Sequence, residues 1–408
     1  MKILMVNKFF YKKGGSETYY FALKHLLEQK GHTVIDFSMT DEKNFESEYS
    51  QYFVKNIDYN EKNNIFYKLK AANNIVYSFE AKRKFRELIE KTKPDIIHLH
   101  IFQHQISPSI LDVIKKYDIP TVYTAHDLKM LCLNYKMMHH GKICEQCKKG
   151  KYYHCAINKC VKDSFFKSCI NVVEGYFHKW IKSYNAIDVI VTPSNFYKRK
   201  FIEFGVSQGK VCHIPNFLDK ETTYSITNEK ERYYLYLGRL SAEKGIFTML
   251  DAFAKSKKQL YIAGTGPIEE KIKKKIKTES LDNIKMLGFK TGQELVDLIG
   301  NAKAIIIPSE WYENGPYSAI EALQLGVPII GADIGGIPEL VKDNGFLFKS
   351  GDSQALINAI NNMEALTIEE YQKFKNVSKD LFHKYYTSDF HYELLQKVYN
   401  SAIKLKNI

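Results

Sequence analysis

Short apolar runs rich in β-branched residues alternate with longer amphipathic stretches along the first half of the chain. In order they are KILMVN, residues 16–30, HTVIDFS, residues 79–92, DIIHLH, PTVYTAHD and DVIVTPS. Runs of four to eight apolar residues interleaved with stretches of helical spacing predict parallel strands joined by crossover helices. Two stretches break this rhythm and read as insertions: YNEKNNIFYKLKAANNIVYS and residues 128–180. A polar stretch, VCHIPNFLDKETTYSITNEKER, reads as a linker. After it the rhythm restarts with YYLYLGRL, 244–256, QLYIAGTG, 268–278, NIKMLGF, 291–301, AKAIIIPS, 316–325 and VPIIGAD. The restart predicts an α/β protein of two Rossmann-like, doubly wound domains. A last helix is expected over 387–405, free to fold back on either domain.

Composition agrees with that division. At 408 residues the chain exceeds the size at which one core keeps growing. With 45% hydrophobic and 26% charged residues it has the balance of a globular protein and is too apolar for global disorder. The start, MKILMVNKFFYKK, lacks the apolar length and cleavage site of a signal peptide, and no window reads as a spanning helix; the expected location is cytoplasmic. A formal charge of +13 and a pI near 9.1 suit an anionic partner, whether a phosphorylated substrate, an acidic membrane or nucleic acid. Charge alone does not choose among these, and lysines that merely solvate surface helices explain it equally well. EEKIKKKIK at 269–277 is read most simply as such a solvated face.

Four short motifs carry candidate chemistry. In ENGPYSAIE, 313–321, a strand gives way to a helix near Pro316, so backbone N–H groups of 315–318 face the strand's C-terminal edge, where anions bind. Gly315 allows close approach of a phosphate. Glu313 and Glu321 flank that place, and since carboxylates repel phosphate they are suited to accepting hydrogen bonds from hydroxyls, as on a sugar. In GRLSAEKG, 238–245, Arg239 and Lys244 offer a planar fork and a point charge to a diphosphate. KKGGSE, 12–17, places Gly14 and Gly15 at a strand-to-helix turn whose backbone donors suit a phosphate or a sugar. TAHD, 124–127, puts His126 at the end of a strand, facing a cleft, with Asp127 able to cap the next segment. Each motif alone also fits an ordinary turn, cap or solvated charge.

Taken together and in this order, the glycine loop, strand-end histidine, G-R-x4-K-G, E-x7-E and the following GADIGGIPEL resemble glycosyltransferase family 4, whose members are retaining, nucleotide-sugar-dependent enzymes of GT-B fold. The resemblance implies an acceptor-side domain over 1–220, with the Cys-rich insertion at about 128–180. It further implies a nucleotide-sugar domain over 221–385 and a helix, 386–408, that crosses back to the first domain. It implies that Glu313 holds the donor sugar's hydroxyls, Glu321 binds the ribose, and Arg239 and Lys244 neutralise the leaving diphosphate. Backbone amides around Gly315 and Pro316 and in the Gly14–Gly15 loop would assist. The implied donor-binding set also takes in Asn314 and Tyr317, with Gly264, Gly288 and Phe289 near the base; His126 would serve the acceptor side of catalysis. No D-x-D occurs, so no catalytic metal is expected. Implied partners are a nucleotide-sugar donor and a glycan or lipid-linked acceptor in cell-surface polysaccharide synthesis, with no nucleic acid.

The family does not require the cysteine stretch. Cys144, Cys147, Cys155 and Cys160 follow C-x2-C-x7-C-x4-C, four soft ligands in a short loop, suited to structural zinc. His139, His140 and His154 are spare ligands; another metal, an iron–sulfur cluster, and free thiols or redox disulfides are the other readings. Next to it, FFKSCINVVEGYFHKWIKSY mixes aromatics with lysines on one helix, which suits either an anionic membrane surface, making the protein peripheral there, or packing on the sheet. Other functions compatible with the sequence are a sugar-nucleotide epimerase on the same fold and a non-catalytic nucleic-acid or carbohydrate-binding protein. The nucleic-acid reading leaves the paired acids unexplained, because they would repel the phosphates.

Overall fold

The computed structural model describes residues 1–57, 72–219 and 233–406. Most of the first predicted insertion and the 220–232 part of the predicted linker therefore lie outside the described residues. The chain forms two compact units: Met1–His139 with Cys144–Ile214 and Tyr392–Ile408, and His140–Ile143 with Pro215–His391.

The first unit is built on a parallel sheet of β1 (Lys2–Val6), β2 (Thr33–Phe37), β3 (Ile96–Leu99), β4 (Thr121–Thr124), β5 (Val189–Thr192) and β6 (Val211–His213), in the order β2-β1-β3-β4-β5-β6. Strands β3, β4 and β5 are buried on both faces, which is why they read as continuous rather than alternating apolar runs. β6 corrects the linker reading: VCH is the edge strand of this sheet, its three residues in register with Ile190, Val191 and Thr192. Helix Gly15–Gln29 turns Tyr19, Tyr20, Leu23, Leu26 and Leu27 into the core. From the last helix, Ser388–Lys406, this unit takes buried Leu395, Tyr399 and Ala402, and the Tyr399 hydroxyl lies 2.7 Å from His98 Nδ1.

The second unit has a parallel sheet of β7 (Tyr234–Leu237), β8 (Leu260–Ala263), β9 (Ile284–Gly288), β10 (Ala304–Ile307), β11 (Ile329–Ala332) and β12 (Gly345–Phe348), in the order β9-β8-β7-β10-β11-β12. The order reverses direction between β7 and β10, and at such a point the following loops diverge and leave a crevice beyond the strands' C-terminal ends. The units divide at 214/215 and 391/392, not at 220/221 and 385/386. The cause is local: Leu218 N–H donates to Tyr386 O at 3.1 Å, and His391 Nδ1 lies 2.8 Å from Pro215 O. Phe217 stacks on the His391 ring at 4.3 Å, so 215–218 and 386–391 belong together.

The region 128–180 adds to the first unit a one-turn helix, Tyr153–Ile157, and the helix Phe165–Trp180. Its small core joins Leu133, Cys147 and Cys155, flanked by Tyr152, Cys160, Val161 and Val172. A buried ion pair, Lys129 Nζ to Glu174 Oε2 at 3.0 Å, ties the helix to the segment after β4.

Candidate active site

The loops after β7, β8, β9 and β10 meet at the reversal point of the second sheet. Gly238 N–H donates to Ala263 O at 3.1 Å, Leu240 N–H to Thr265 O at 2.9 Å and Gly264 N–H to Gly288 O at 2.7 Å, so the first three loops are laced edge to edge. This closeness explains the glycines. A Cβ on Gly264, whose φ is +140°, would stand 1.9 Å from Gly238 O, and one on Gly245, φ +68°, would stand 1.8 Å from Pro308 O. The β7 loop thereby lies directly against the β10 loop.

That contact delivers Lys244 to Glu313. Lys244 Nζ lies 2.6 Å from Glu313 Oε1, and the same oxygen accepts from Ser309 Oγ at 2.6 Å and from Trp311 Nε1 at 2.8 Å. The Lys244 ammonium also sits 5.2 Å from the centroid of the Trp311 ring. Glu313 is only 5% exposed. Burial by itself would raise its carboxyl, but the Lys244 charge and the three donors outweigh that and hold it below the ordinary value. The backbone is fixed as well, since Gly336 N–H, from the GADIGGIPEL segment, donates to Glu313 O at 2.7 Å.

Gly315 O accepts from Asn216 Nδ2 at 2.9 Å, and helix Tyr317–Gln324 begins at once. Pro316 occupies its N-cap, with φ −65° and ψ 130°, one position before the first turn. The leading N–H groups of this helix therefore point toward the loop, with the macrodipole behind them. Glu321 lies one turn along. With no cation beside it, burial pushes its carboxyl up to about 7. Two acids in one motif thus differ in acidity because, among the described residues, only Glu313 has a lysine paired with it. Arg239 is exposed and forms no ion pair among the described residues. Its carbonyl accepts from Tyr236 Oη at 2.9 Å, which positions the loop and leaves the guanidinium outward. Phe289, the first residue after β9, is 73% exposed.

Gly14, Gly15 and His126 belong to the first unit. Gly14 caps helix Gly15–Gln29 in extended backbone, and a Cβ there would meet only Glu17 Oε2 at 3.7 Å. Conformation therefore does not demand this glycine, which is consistent with a need for bare backbone. His126 follows β4; its Nε2 lies 3.1 Å from His100 Nδ1, and Tyr19 packs edge-on at 5.0 Å. Burial lowers the His126 imidazole to about 3, so it is neutral at physiological pH. His98 completes the row: it stacks on His100 at 4.4 Å and its Nε2 lies 2.8 Å from Thr124 Oγ1. The sequence reading missed His98 and His100, although their i, i+2 spacing in DIIHLH is the signal for one shared face. It also missed Lys8, whose ammonium is lowered to about 8 by burial and by the neighbouring Lys13 charge.

The cysteine stretch gains a member. Cys132 and Cys147 share a hydrogen bond, as do Cys155 and Cys160. Cys147 and Cys155 are buried in one small core against which Cys160 packs, Cys132 is buried as well, and Cys144 is half-buried. The Cys132 thiol donates to Asn134 Oδ1 at 3.1 Å. All seven cysteines are unbridged, and among the described residues no three His, Cys, Asp or Glu side chains stand ready-made around one metal position.

Comparison with known proteins places this arrangement. Residues 13–222 match the model of Glycosyltransferase Family 4 and residues 220–380 that of Glycosyl transferases group 1. The chain belongs to this family of glycosyltransferases, and its two parallel sheets are those of the GT-B fold. It is 28% identical over 357 residues, 83% of this chain and 87% of the relative, to a 42.6 kDa protein in the cps region of Klebsiella pneumoniae. To the O-antigen chain mannosyltransferase C of Escherichia coli it is 22% identical, over 52% of this chain and 56% of that one. Among solved structures, Anabaena HepE in complex with UDP superposes with a TM-score of 0.68 at 16% identity, covering 98% of this chain and all of that one.

Proposed function

We propose that the protein is a retaining glycosyltransferase that moves a sugar from a nucleoside-diphosphate donor to a glycan or lipid-linked acceptor in surface-polysaccharide synthesis. The observation that carries the reading is the Lys244–Glu313 pair at the reversal point of the second sheet, beside the start of helix Tyr317–Gln324. An ammonium has three donors, so Lys244 can hold Glu313 and still offer a proton to a diphosphate oxygen. Arg239 supplies the second cation. When the anomeric C–O bond breaks, its electron pair leaves on the diphosphate, and these charges with the helix N-terminus stabilise it. The acceptor hydroxyl forms the new bond and its proton leaves with the diphosphate. Glu313, kept ionised, accepts from sugar hydroxyls, and Glu321 accepts from the ribose. Neutral His126 orients the sugar or the acceptor. The chemistry needs no metal in this reading. The O-antigen mannosyltransferase and the UDP complex among the similar proteins support the polysaccharide and nucleotide parts.

The test is a thermal-shift screen with UDP, GDP, ADP, TDP and CMP. A ligand at about 100 times its Kd stabilises by about 2.7 kcal/mol. One diphosphate should raise Tm selectively, and Arg239→Ala should remove most of the shift. No shift with any nucleotide, for folded protein, refutes the reading and leaves a carbohydrate-binding role; conversion of one nucleotide sugar into another without transfer would indicate an epimerase. For the cysteine loop we infer a structural zinc site formed by Cys132, Cys147, Cys155 and Cys160, with Cys132 in the place the spacing had assigned to Cys144. Its support is that Cys147 and Cys155 share one small core against which Cys160 packs, and that Cys132 is buried and hydrogen-bonded to Cys147.

A further inference from the structure

The helix Phe165–Trp180 is inside out. Its buried residues are polar: Ser168, Asn171, Glu174 and His178. Each has a reason to be inside. Ser168 Oγ donates to Ser164 O at 2.8 Å, Asn171 Nδ2 donates to Leu133 O at 3.0 Å, Glu174 pairs with Lys129, and His178 lies 2.8 Å from Ser183 Oγ. The opposite face is apolar and open to solvent: Phe165 is 58% exposed, Phe166 66%, Val173 56%, Tyr176 38% and Trp180 80%. At about 100° per residue these five positions fall in an arc of about 100°, the width of stripe that a globular helix ordinarily turns to its core. The neighbouring one-turn helix extends the patch with Tyr153, 46% exposed, and Ile157, 66% exposed.

The charge around the patch selects its occupant. Residues 148–182 contain eight lysines and two acids, Asp163 and Glu174, and Glu174 is buried on the far side. Lys159, Lys162, Lys167, Lys179 and Lys182 are exposed. Exposed Phe and Trp beside a lysine rim suit the boundary of an anionic bilayer, where rings enter the headgroup region and ammonium groups meet lipid phosphates. A second copy is disfavoured by the same rim, because a two-fold contact would set lysines against lysines.

We infer that the exposed face of Phe165–Trp180, extended by Tyr153 and Ile157, is a docking surface for an anionic membrane. This assignment does not depend on the donor or on the reaction. Where the acceptor is lipid-linked, it would hold the first unit at the surface on which the acceptor lies.

The experiment is co-sedimentation of the full chain with neutral phosphatidylcholine vesicles and with vesicles containing 30% phosphatidylglycerol, a composition chosen on the order of the anionic content of charged membranes. Binding should be at least fivefold greater to the anionic vesicles, should fall in high salt, and should drop at least fivefold in Phe166→Ser/Trp180→Ser. Tryptophan emission should shift to the blue on binding in the wild type and stay unmoved in Trp180→Phe, which removes the reporter from the patch. Circular dichroism of the double variant shows that loss of binding is not loss of fold. Equal binding by wild type and double variant, or none to either vesicle, overturns the inference. Concentration-dependent dimers without vesicles that Trp180→Ser dissolves would also overturn it and assign the patch to a second copy.

Discussion

Lys244→Met isolates what the Lys244–Glu313 pair does. The side chains are 23% and 7% exposed and their charged atoms stand 2.6 Å apart. Removing one partner of a buried pair costs about 3–5 kcal/mol. Here Ser309 and Trp311 still donate to Glu313 Oε1 and the lysine is partly solvated, so about 2–3 kcal/mol is expected. For a unit of this size that lowers Tm by roughly 5–10 °C. The pH dependence is the sharper signature. In the wild type the Glu313 carboxyl lies below 4.5, so its contribution is present above that pH and is lost as pH falls through the folded value. Without Lys244, desolvation is no longer outweighed and the folded value moves above the unfolded one. The folded variant then binds more protons than the unfolded chain, so its stability falls as pH rises past about 4.5. Calorimetry should show a small gap between wild type and Lys244→Met at pH 5 and the full gap at pH 8. Adding Glu313→Gln to Lys244→Met should recover most of it at pH 8. A gap equal at both pH values, or no recovery in the double variant, would refute the argument that a buried carboxylate is being left unpaired.

Glu321→Gln should behave in the opposite sense. A folded carboxyl at about 7 against an ordinary 4.5 costs up to about 3 kcal/mol above pH 7, reduced to about 1–2 kcal/mol because Glu321 is only partly buried, and the cost grows as pH rises from 4.5 to 7. The variant should therefore match the wild type in thermal melts near pH 4.5 and exceed it at pH 8, while losing nucleotide affinity. Elemental analysis should find about one zinc per chain by the ligand count of a four-thiolate site. Cys132→Ser should lose the metal and Cys144→Ser keep it; the reverse pattern would restore the spacing-based ligand set, and metal-free wild type would remove zinc from the account.

Much of this protein was legible in one dimension because its signals are local. A strand buried on both faces must be a continuous apolar run, so AKAIIIPS and QLYIAGTG declare themselves, and a loop pressed against another backbone must carry glycine, so Gly245 and Gly264 stand out. The E-x7-E and G-R-x4-K-G motifs are likewise short-range patterns on either side of a strand–helix turn.

What tertiary structure decided is which distant groups share a charge or a surface. Glu313 and Glu321 look alike in sequence, but only the β7 loop's contact with the β10 loop gives one a lysine, while burial raises the other's carboxyl to about 7. His98, His100 and His126 become one row because β3 and β4 are neighbours in register. Cys147 and Cys155 share a small core with Leu133, a grouping that cysteine spacing alone does not show. The pattern of FFKSCINVVEGYFHKW shows an amphipathic helix and cannot say which face turns inward. Burial energy alone favours the aromatic face inside; the paired Lys129–Glu174 charges and the hydrogen bonds of Ser168, Asn171 and His178 hold the polar face there instead, leaving the rings outside.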